Sequence, residues 1–199
     1  MLKVVPPNSL ILASTSPRRR DMMNSLFPGI KCIAPDVDET EIPGERPEDM
    51  VTRLARTKAL AVSEMQAEAW CVGADTTVSI NGKILGKPTS EADAERMLGI
   101  LQGAWHDVWT GVAVSCKNRG VERAFAERSR VKMVALNKDE IKAYVATKEP
   151  MDKAGSYAIQ GFGASLISEV NGSYTNVVGL DLAALIETLI ELQVVRRGV

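Results

Sequence analysis

One histidine, three cysteines with no C-x-x-C pair and only 5% aromatic residues are what this 199-residue chain is short of. His106 alone cannot build a multi-histidine zinc site, and Cys32, Cys71 and Cys116 fall at no structural-zinc spacing. Any metal is therefore expected on oxygen. The cysteines sit inside apolar runs, which suits buried thiols in a reducing compartment. Charge of one sign is missing too: 24 Lys and Arg face 25 Asp and Glu, a formal charge of -1. That balance removes bulk attraction to nucleic acid or anionic lipid and leaves only local basic sites. No apolar run is long enough to span a bilayer, and MLKVVPPNSLILAS shows neither a basic leader nor a cleavage pattern. The expectation is a cytoplasmic protein with no membrane or nucleic-acid partner.

The composition that remains, 45% hydrophobic and 25% charged, is that of an ordinary folded domain. A chain of this length buries roughly 70% of its unfolded surface, so neither metal nor disulfide is needed for a core. No low-complexity linker or solenoid repeat interrupts it. Residues 1–199 are read as a single domain, with room for two lobes.

The apolar run SLILA reads as a strand covered on both faces, followed by a helix with Ser16 as N-cap and Pro17 at its first position. A second strand is expected over 31–34, then an acidic loop, APDVDETEIPGE, leading to a helix from about Pro47 to Met65. Its apolar stripe is Val51, Leu54, Ala55, Val62 and Met65, and Lys58 falls on that stripe. A strand over 70–74 and a hairpin at Asn81-Gly82 come next. Ser90 caps a helix with an inner face of Ala94, Met97, Leu98 and Leu101. Two long strands occupy 107–136, joined through 117–120, and a helix follows over 138–148. Short strands at SLISEV and YTNVVGL lead to a last helix over 181–192. The class is α/β: a twisted sheet with parallel and antiparallel pairing, flanked by helices.

Three arginines, Arg18 to Arg20, open the first helix, where the macrodipole disfavours positive charge. An anion held by Ser14, Thr15 and Ser16 hydroxyls, backbone N–H groups and arginine forks would reconcile this; a solvated basic turn is the plainer reading. Lys58 on the buried stripe either snorkels or lines a cleft against an anion. On that argument Lys58→Met is expected to keep or raise stability while weakening anion binding. Asp75 ends an apolar strand in GADT, where α/β proteins often present catalytic groups, although a structural ion pair explains it equally well. Lys87 in GKP sits at a loop rim. In EPMDKAG, Asp152 and Lys153 are neighbours that need not pair with each other. Asp36, Asp38, Glu39 and Glu41 are either a solvated loop or a source of oxygen ligands for a divalent ion. Together these cations suit a polyphosphate and these carboxylates a metal or an attacking water. No G-x-x-x-x-G-K-[ST] or G-x-G-x-x-G is present, so the usual phosphate cradles are excluded.

The blocks LASTSPRR, GADT, LGKP, KEPMDKAGSYAIQG and NGSYTNVVGL, in this order, closely resemble the Maf family of nucleoside triphosphate pyrophosphatases. The resemblance implies a cytoplasmic enzyme, commonly a homodimer, that splits a nucleoside triphosphate into monophosphate and pyrophosphate with a divalent cation, Mg²⁺ or Mn²⁺. It implies Asp75 as proton acceptor, with Ser14, Arg18, Arg19, Lys58, Lys87 and Lys153 on the substrate. The metal is expected on carboxylates from Glu39, Asp75 or Asp152, and spacing does not settle which is ligand and which is base. The implied fold is two lobes with a central cleft, similar to the inosine triphosphate pyrophosphatases. Arg18, Thr76 and Gln160 match the marks of a dTTP/UTP subgroup, and a glutamine amide suits the alternating donor and acceptor edge of thymine or uracil. The alternatives are a subgroup acting on 7-methyl-GTP or another modified nucleotide, and a nucleotide-binding regulator of septum formation without turnover. Asp181, where many members have proline, is expected to cap the last helix.

Overall fold

A computed structural model describes residues 2–198, which form a mixed α/β fold. Strands β1 (Leu2–Val4), β2 (Leu10–Ala13) and β3 (Lys31–Ile33) open the chain, with helix α1 (Pro17–Leu26) between the last two. Next come α2 (Pro47–Met65), β4 (Trp70–Ile80), β5 (Lys83–Leu85), α3 (Glu91–Leu101), β6 (Trp105–Cys116) and β7 (Val121–Met133). The chain closes through α4 (Lys138–Ala146), β8 (Ile167–Asn171), α5 (Tyr174–Val178), α6 (Leu182–Glu191) and β9 (Val195–Arg197). The main sheet has the order β3-β2-β4-β6-β7-β8 with β5 on β4, and β1 pairs with β9 apart from it. Among the described residues no helix is long and apolar enough to cross a membrane.

The chain divides into two compact units, and β4, β6 and β7 each run from one into the other. The first holds residues up to 75, 110–127 and from 179 onward. Here β2 lies parallel to both β3 and β4, with Ala13 opposite Ile33 and Gly73. All four β2 residues are buried because both faces of the strand are covered. Leu10 and Leu12 pack with Met23 of α1 and Leu185 and Leu189 of α6, while Ile11 and Ala13 face Val62 of α2. Pro17 starts α1 and Ser16 caps it, as the sequence predicts. Asp181 caps α6, its carboxylate accepting from the Ala184 N–H at 3.1 Å. Met65, expected on the inner stripe of α2, is 57% exposed, because the helix ends there and Val62 is its last apolar contact with the sheet.

The second unit holds residues 76–109 and 128–178. The end of β4 turns back into β5 through Asn81 (φ 50°) and Gly82 (φ 75°), the left-handed pair of a two-residue hairpin. Ala94, Met97, Leu98 and Leu101 are the buried residues of α3, as their spacing predicts. They share a core with Val78, Val131, Met133, Tyr144 and Tyr157. Asn137 and Glu140 form a reciprocal capping box on α4. One expected strand is a helix instead: Tyr174–Val178 of YTNVVGL is α5. Ser173 accepts from the Asn176 N–H at 3.2 Å, and the buried Asn176 amide donates to Val108 O and Ser129 Oγ at 3.1 and 2.9 Å. A side chain that must reach inward to two polar partners overrides the β-branched residues around it.

Candidate active site

In the first unit the parallel pairing of β2 and β4 stops at Ala13 and Gly73, and sequence-predicted groups follow directly on both strands. Ser14, directly after β2, is buried, and its Oγ accepts from the Ser16 N–H at 3.1 Å. The arginine triplet then divides. Arg19 turns inward and donates from Nε to Gly179 O at 2.7 Å and from Nη1 to Ala74 O at 2.9 Å. Arg18 is half-buried, and Arg20 is exposed at 3.9 Å from Asp21. Burial pushes the Arg19 guanidinium below its usual value and Arg18 adds to this, while Asp75 and Glu39 oppose it. The macrodipole penalty read from the sequence is therefore relieved in part by strand and loop carbonyls, a role for Arg19 that the sequence did not reveal.

Lys58 is the centre of this group. It is 5% exposed, and its ammonium donates to Glu39 Oε2 at 2.6 Å and to Asp75 Oδ1 at 2.7 Å. Both readings of Lys58 and Asp75 thus meet in one place, with one correction: Asp75 does not end its strand, since β4 continues to Ile80 to pair with β5, and the carboxylate sits two residues past the last residue paired with β2, bonded to the lysine on the stripe. Gly73 and Asp75 are two apart on β4 and so share a face. A Cβ at Gly73 would lie 2.3 Å from Ala55 O, and one at Gly111 would lie 2.1 Å from Val51 O. Only the missing side chains let α2 come down on the sheet, with Ala55, Ala59 and Ala113 filling the seam. That approach carries Lys58 to Asp75.

The acidic loop is held by α2 as well. Arg53 donates to both Glu45 oxygens, at 2.7 and 2.6 Å, and to Thr40 O at 3.3 Å. Asp38 folds onto Thr40, whose N–H and hydroxyl donate to Oδ1 at 2.9 and 2.5 Å. Of the four acids in the predicted cluster, Glu39 reaches Lys58 and Asp38 serves the turn. Arg53 and Glu45 carried no sequence signal, since their pairing depends on a loop that returns to its own helix.

In the second unit, Thr76 is half-buried and Lys87 is exposed in the turn after β5. The Gly155 N–H donates to Gly86 O at 3.1 Å, which ties the GKP turn to the DKAG segment. Gly155 (φ 68°) packs against Val78, where a Cβ would approach to 2.9 Å. Asp152 and Lys153 do form an ion pair, at the point where a 3-10 turn ends on Asp152 and the backbone becomes extended at Lys153. The Lys153 ammonium also donates to Glu149 O at 3.0 Å. Gln160 is exposed on a loop anchored by Tyr144 and Glu149, two residues the sequence reading passed over.

Among the described residues no group of three or more His, Cys, Asp or Glu is placed to hold a metal ion. Glu39 and Asp75 nevertheless converge on one cation, the Lys58 ammonium, and offer it hard oxygen donors. Mg²⁺ is usually bound through one or two carboxylates with phosphate oxygens and water completing the shell, so this pair fits such an ion in the presence of a polyphosphate.

A mid-strand carboxylate paired to a buried lysine, beside an inward arginine on a helix start, is an arrangement able to take up a proton and to meet an anion. Residues 9–192 match the Maf-like protein family, and the chain belongs to it. This span takes in residues of both units. The chain is similar to a dTTP/UTP pyrophosphatase of Geobacter sulfurreducens, 48% identical over 180 residues, covering 90% of this chain and 94% of that protein. A dTTP/UTP pyrophosphatase of Geotalea uraniireducens is 47% identical over 182 residues, 92% and 94% of the two chains. Among solved structures, the Staphylococcus aureus Ham1 protein aligns over 94% of this chain and 100% of its own, with a TM-score of 0.55 and 16% identity, a likeness of fold.

Proposed function

We propose that this chain hydrolyses dTTP and UTP between the α and β phosphates, releasing the nucleoside monophosphate and pyrophosphate. The observation that carries the chemistry is the buried Lys58 ammonium bonded to Glu39 and to Asp75 in the middle of β4. The substrate class is supported by the relatives named dTTP/UTP pyrophosphatase at close to half identity over nine-tenths of the chain.

In this reading Asp75 accepts the proton of the water that attacks the α-phosphorus, as the bond to the bridging oxygen breaks and pyrophosphate leaves. Glu39 and Asp75 would hold a divalent ion with phosphate oxygens, whereas Asp152, a third ligand expected from the family resemblance, lies in the second unit, and no group of three such acids is placed to hold a metal among the described residues. When bound, such an ion supplies polarisation of the phosphoryl group under attack. Lys58 orients Asp75 and meets phosphate oxygens. Arg19, pinned by two carbonyls, keeps a fixed direction, so its positive charge needs no rearrangement in the transition state. Ser14, Arg18, Lys87 and Lys153 complete the contacts to the phosphates, where charge builds on the leaving group. Thr76 and Gln160 are assigned to the base, Gln160 reading the N3–H and a flanking carbonyl of thymine or uracil. The expected setting, a cytoplasmic homodimer, rests on the family resemblance.

The test is pyrophosphate release from dTTP, UTP, dCTP, dGTP, ATP and 7-methyl-GTP with Mg²⁺ or Mn²⁺. dTTP and UTP should lead the panel. Asp75→Asn should lower kcat by about a hundredfold or more, the range for a lost general base, with dTTP affinity kept within a few-fold. Release of no pyrophosphate from any triphosphate would favour binding without turnover, and a lead by 7-methyl-GTP would move the chain to another substrate subgroup.

A further inference from the structure

The loop 158–163 carries Gln160, lies in no strand and runs into a 3-10 turn, Gly161–Leu166. Its anchors come from α4 and the 3-10 turn that follows that helix. Tyr144 donates its hydroxyl to Glu149 Oε1 at 2.8 Å, and the Gly163 N–H donates to the same oxygen at 2.8 Å. The Phe162 N–H donates to Glu149 Oε2 at 3.0 Å, and the Ala158 N–H donates to Tyr144 Oη at 3.1 Å. Both ends of the loop are therefore held, one by the phenol and one by the carboxylate. The fit is close: a Cβ at Gly161 (φ +67°) would stand 2.3 Å from Glu149 Oε2, and one at Gly163 would stand 2.5 Å from Tyr144 Oη. Between these anchors Gln160 is extended, with φ -114° and ψ 168°, and its side chain is exposed.

Three donors converge on one carboxylate, which an ionised glutamate satisfies and an amide cannot. Burial pushes the Glu149 carboxyl up, but the Gly163 N–H, the Tyr144 hydroxyl, the Phe162 N–H and the Lys153 charge outweigh it and hold it below the usual range. Its main-chain carbonyl meanwhile accepts from Lys153. One residue thus orders both the loop with the exposed amide and the lysine assigned to phosphate.

We propose that Glu149, braced by Tyr144, is a positioning residue for base selection: it fixes the 158–163 loop so that the Gln160 amide meets a pyrimidine edge in one orientation. The proposal rests on the reading of Gln160 as the base-reading group. Glu149 itself touches no substrate in this scheme, so its loss should blur discrimination between bases before it slows hydrolysis.

The experiment compares kcat and KM for dTTP and dGTP in the full chain, in Glu149→Gln, in Tyr144→Phe and in Gln160→Ala with and without Glu149→Gln. Glu149→Gln should raise KM for dTTP by about tenfold, the scale of one charge-assisted hydrogen bond, with kcat within about twofold. The preference for dTTP over dGTP should fall by the same factor, and should fall no further when Glu149→Gln is added to Gln160→Ala. Tyr144→Phe, which removes a single hydroxyl, should move selectivity the same way by about threefold. Amide hydrogen exchange at Phe162 and Gly163 should speed up in Glu149→Gln. Unchanged selectivity, additive losses with Gln160→Ala, or unchanged exchange would each overturn the proposal. If the unaltered chain releases no pyrophosphate, the hydrolytic reading falls by itself. Equilibrium binding of dTTP against dGTP to the same variants then decides: a preference lost in Glu149→Gln upholds the positioning role, and no preference in any variant refutes it.

Discussion

Replacing Lys58 by methionine separates a lysine that merely lies on an apolar stripe from one that neutralises a buried acid. On the stripe alone the substitution is expected to be neutral or stabilising, and the structure reverses that sign. The Lys58 side chain is 7% exposed and that of Asp75 is 13% exposed, whereas Glu39 is 51% exposed and can turn to water. Methionine recovers the packing of the lysine stem but leaves the Asp75 carboxylate in the low-dielectric seam without its ammonium. Removing one partner of a buried pair costs about 3–5 kcal/mol. The nearby positive charge of Arg19 offsets part of this, so a loss of about 2–4 kcal/mol is expected here. For a chain of this size each kcal/mol moves Tm by roughly 2–4 °C, which places the fall at about 5–15 °C.

Urea unfolding followed by circular dichroism and tryptophan fluorescence would measure this on the single and double variants. Lys58→Met with Asp75→Asn removes both charges and should recover most of the loss, giving a coupling energy of about 2 kcal/mol between the two positions. Both Lys58→Met proteins should bind dTTP weakly. A Lys58→Met single variant that unfolds at the same or a higher urea concentration than the unaltered chain would show that Asp75 does not depend on the lysine. The account of the site as a charge-neutralised pair would then be wrong.

Two further predictions concern stability. Gly73→Ala should cost about 3 kcal/mol or more in urea unfolding, since its Cβ meets Ala55 O at 2.3 Å and Ala59 N at 2.6 Å, main-chain atoms that cannot step aside without moving α2 and Lys58. His106 is 2% exposed beside the Tyr157 hydroxyl at 2.7 Å, and burial pushes its pKa down from 6.5 to about 4. The unfolded chain takes up a proton near pH 6.5 that the native imidazole refuses until about pH 4, so this contribution is whole above 6.5 and is lost as pH falls to 4. The difference is worth about 3 kcal/mol, read as the extra pH dependence of the unaltered chain over His106→Gln; equal slopes in the two would contradict it.

What could be read along the chain was whatever depends on neighbours in sequence. The Ser16 and Ser90 caps, the Asn81-Gly82 turn and the inner face of α3 are local agreements between residue type and backbone, and all hold in the structure. Lys58 and Asp75 were each legible as anomalies, a charge where an apolar group belongs. Their pairing was not, because it is made by a helix descending on a strand, and the signal for that descent is an absence: Gly73 opposite Ala55 and Ala59, and Gly111 opposite the Val51 main chain. Small residues on two distant elements say nothing until the elements are known to cross. The same holds for Glu149, which looks like one more surface acid after a helix and gains its role only because a loop ten residues on returns three donors to it and to Tyr144. Gly73 and Glu149 lie inside the GADT and KEPMDKAG blocks, but a glycine and a lone glutamate carry no chemical signal of their own, so the blocks point to the groups assigned to the reaction and leave the residues that orient them unmarked. A search of the sequence for chemistry finds the first set, and only the backbone path finds the second.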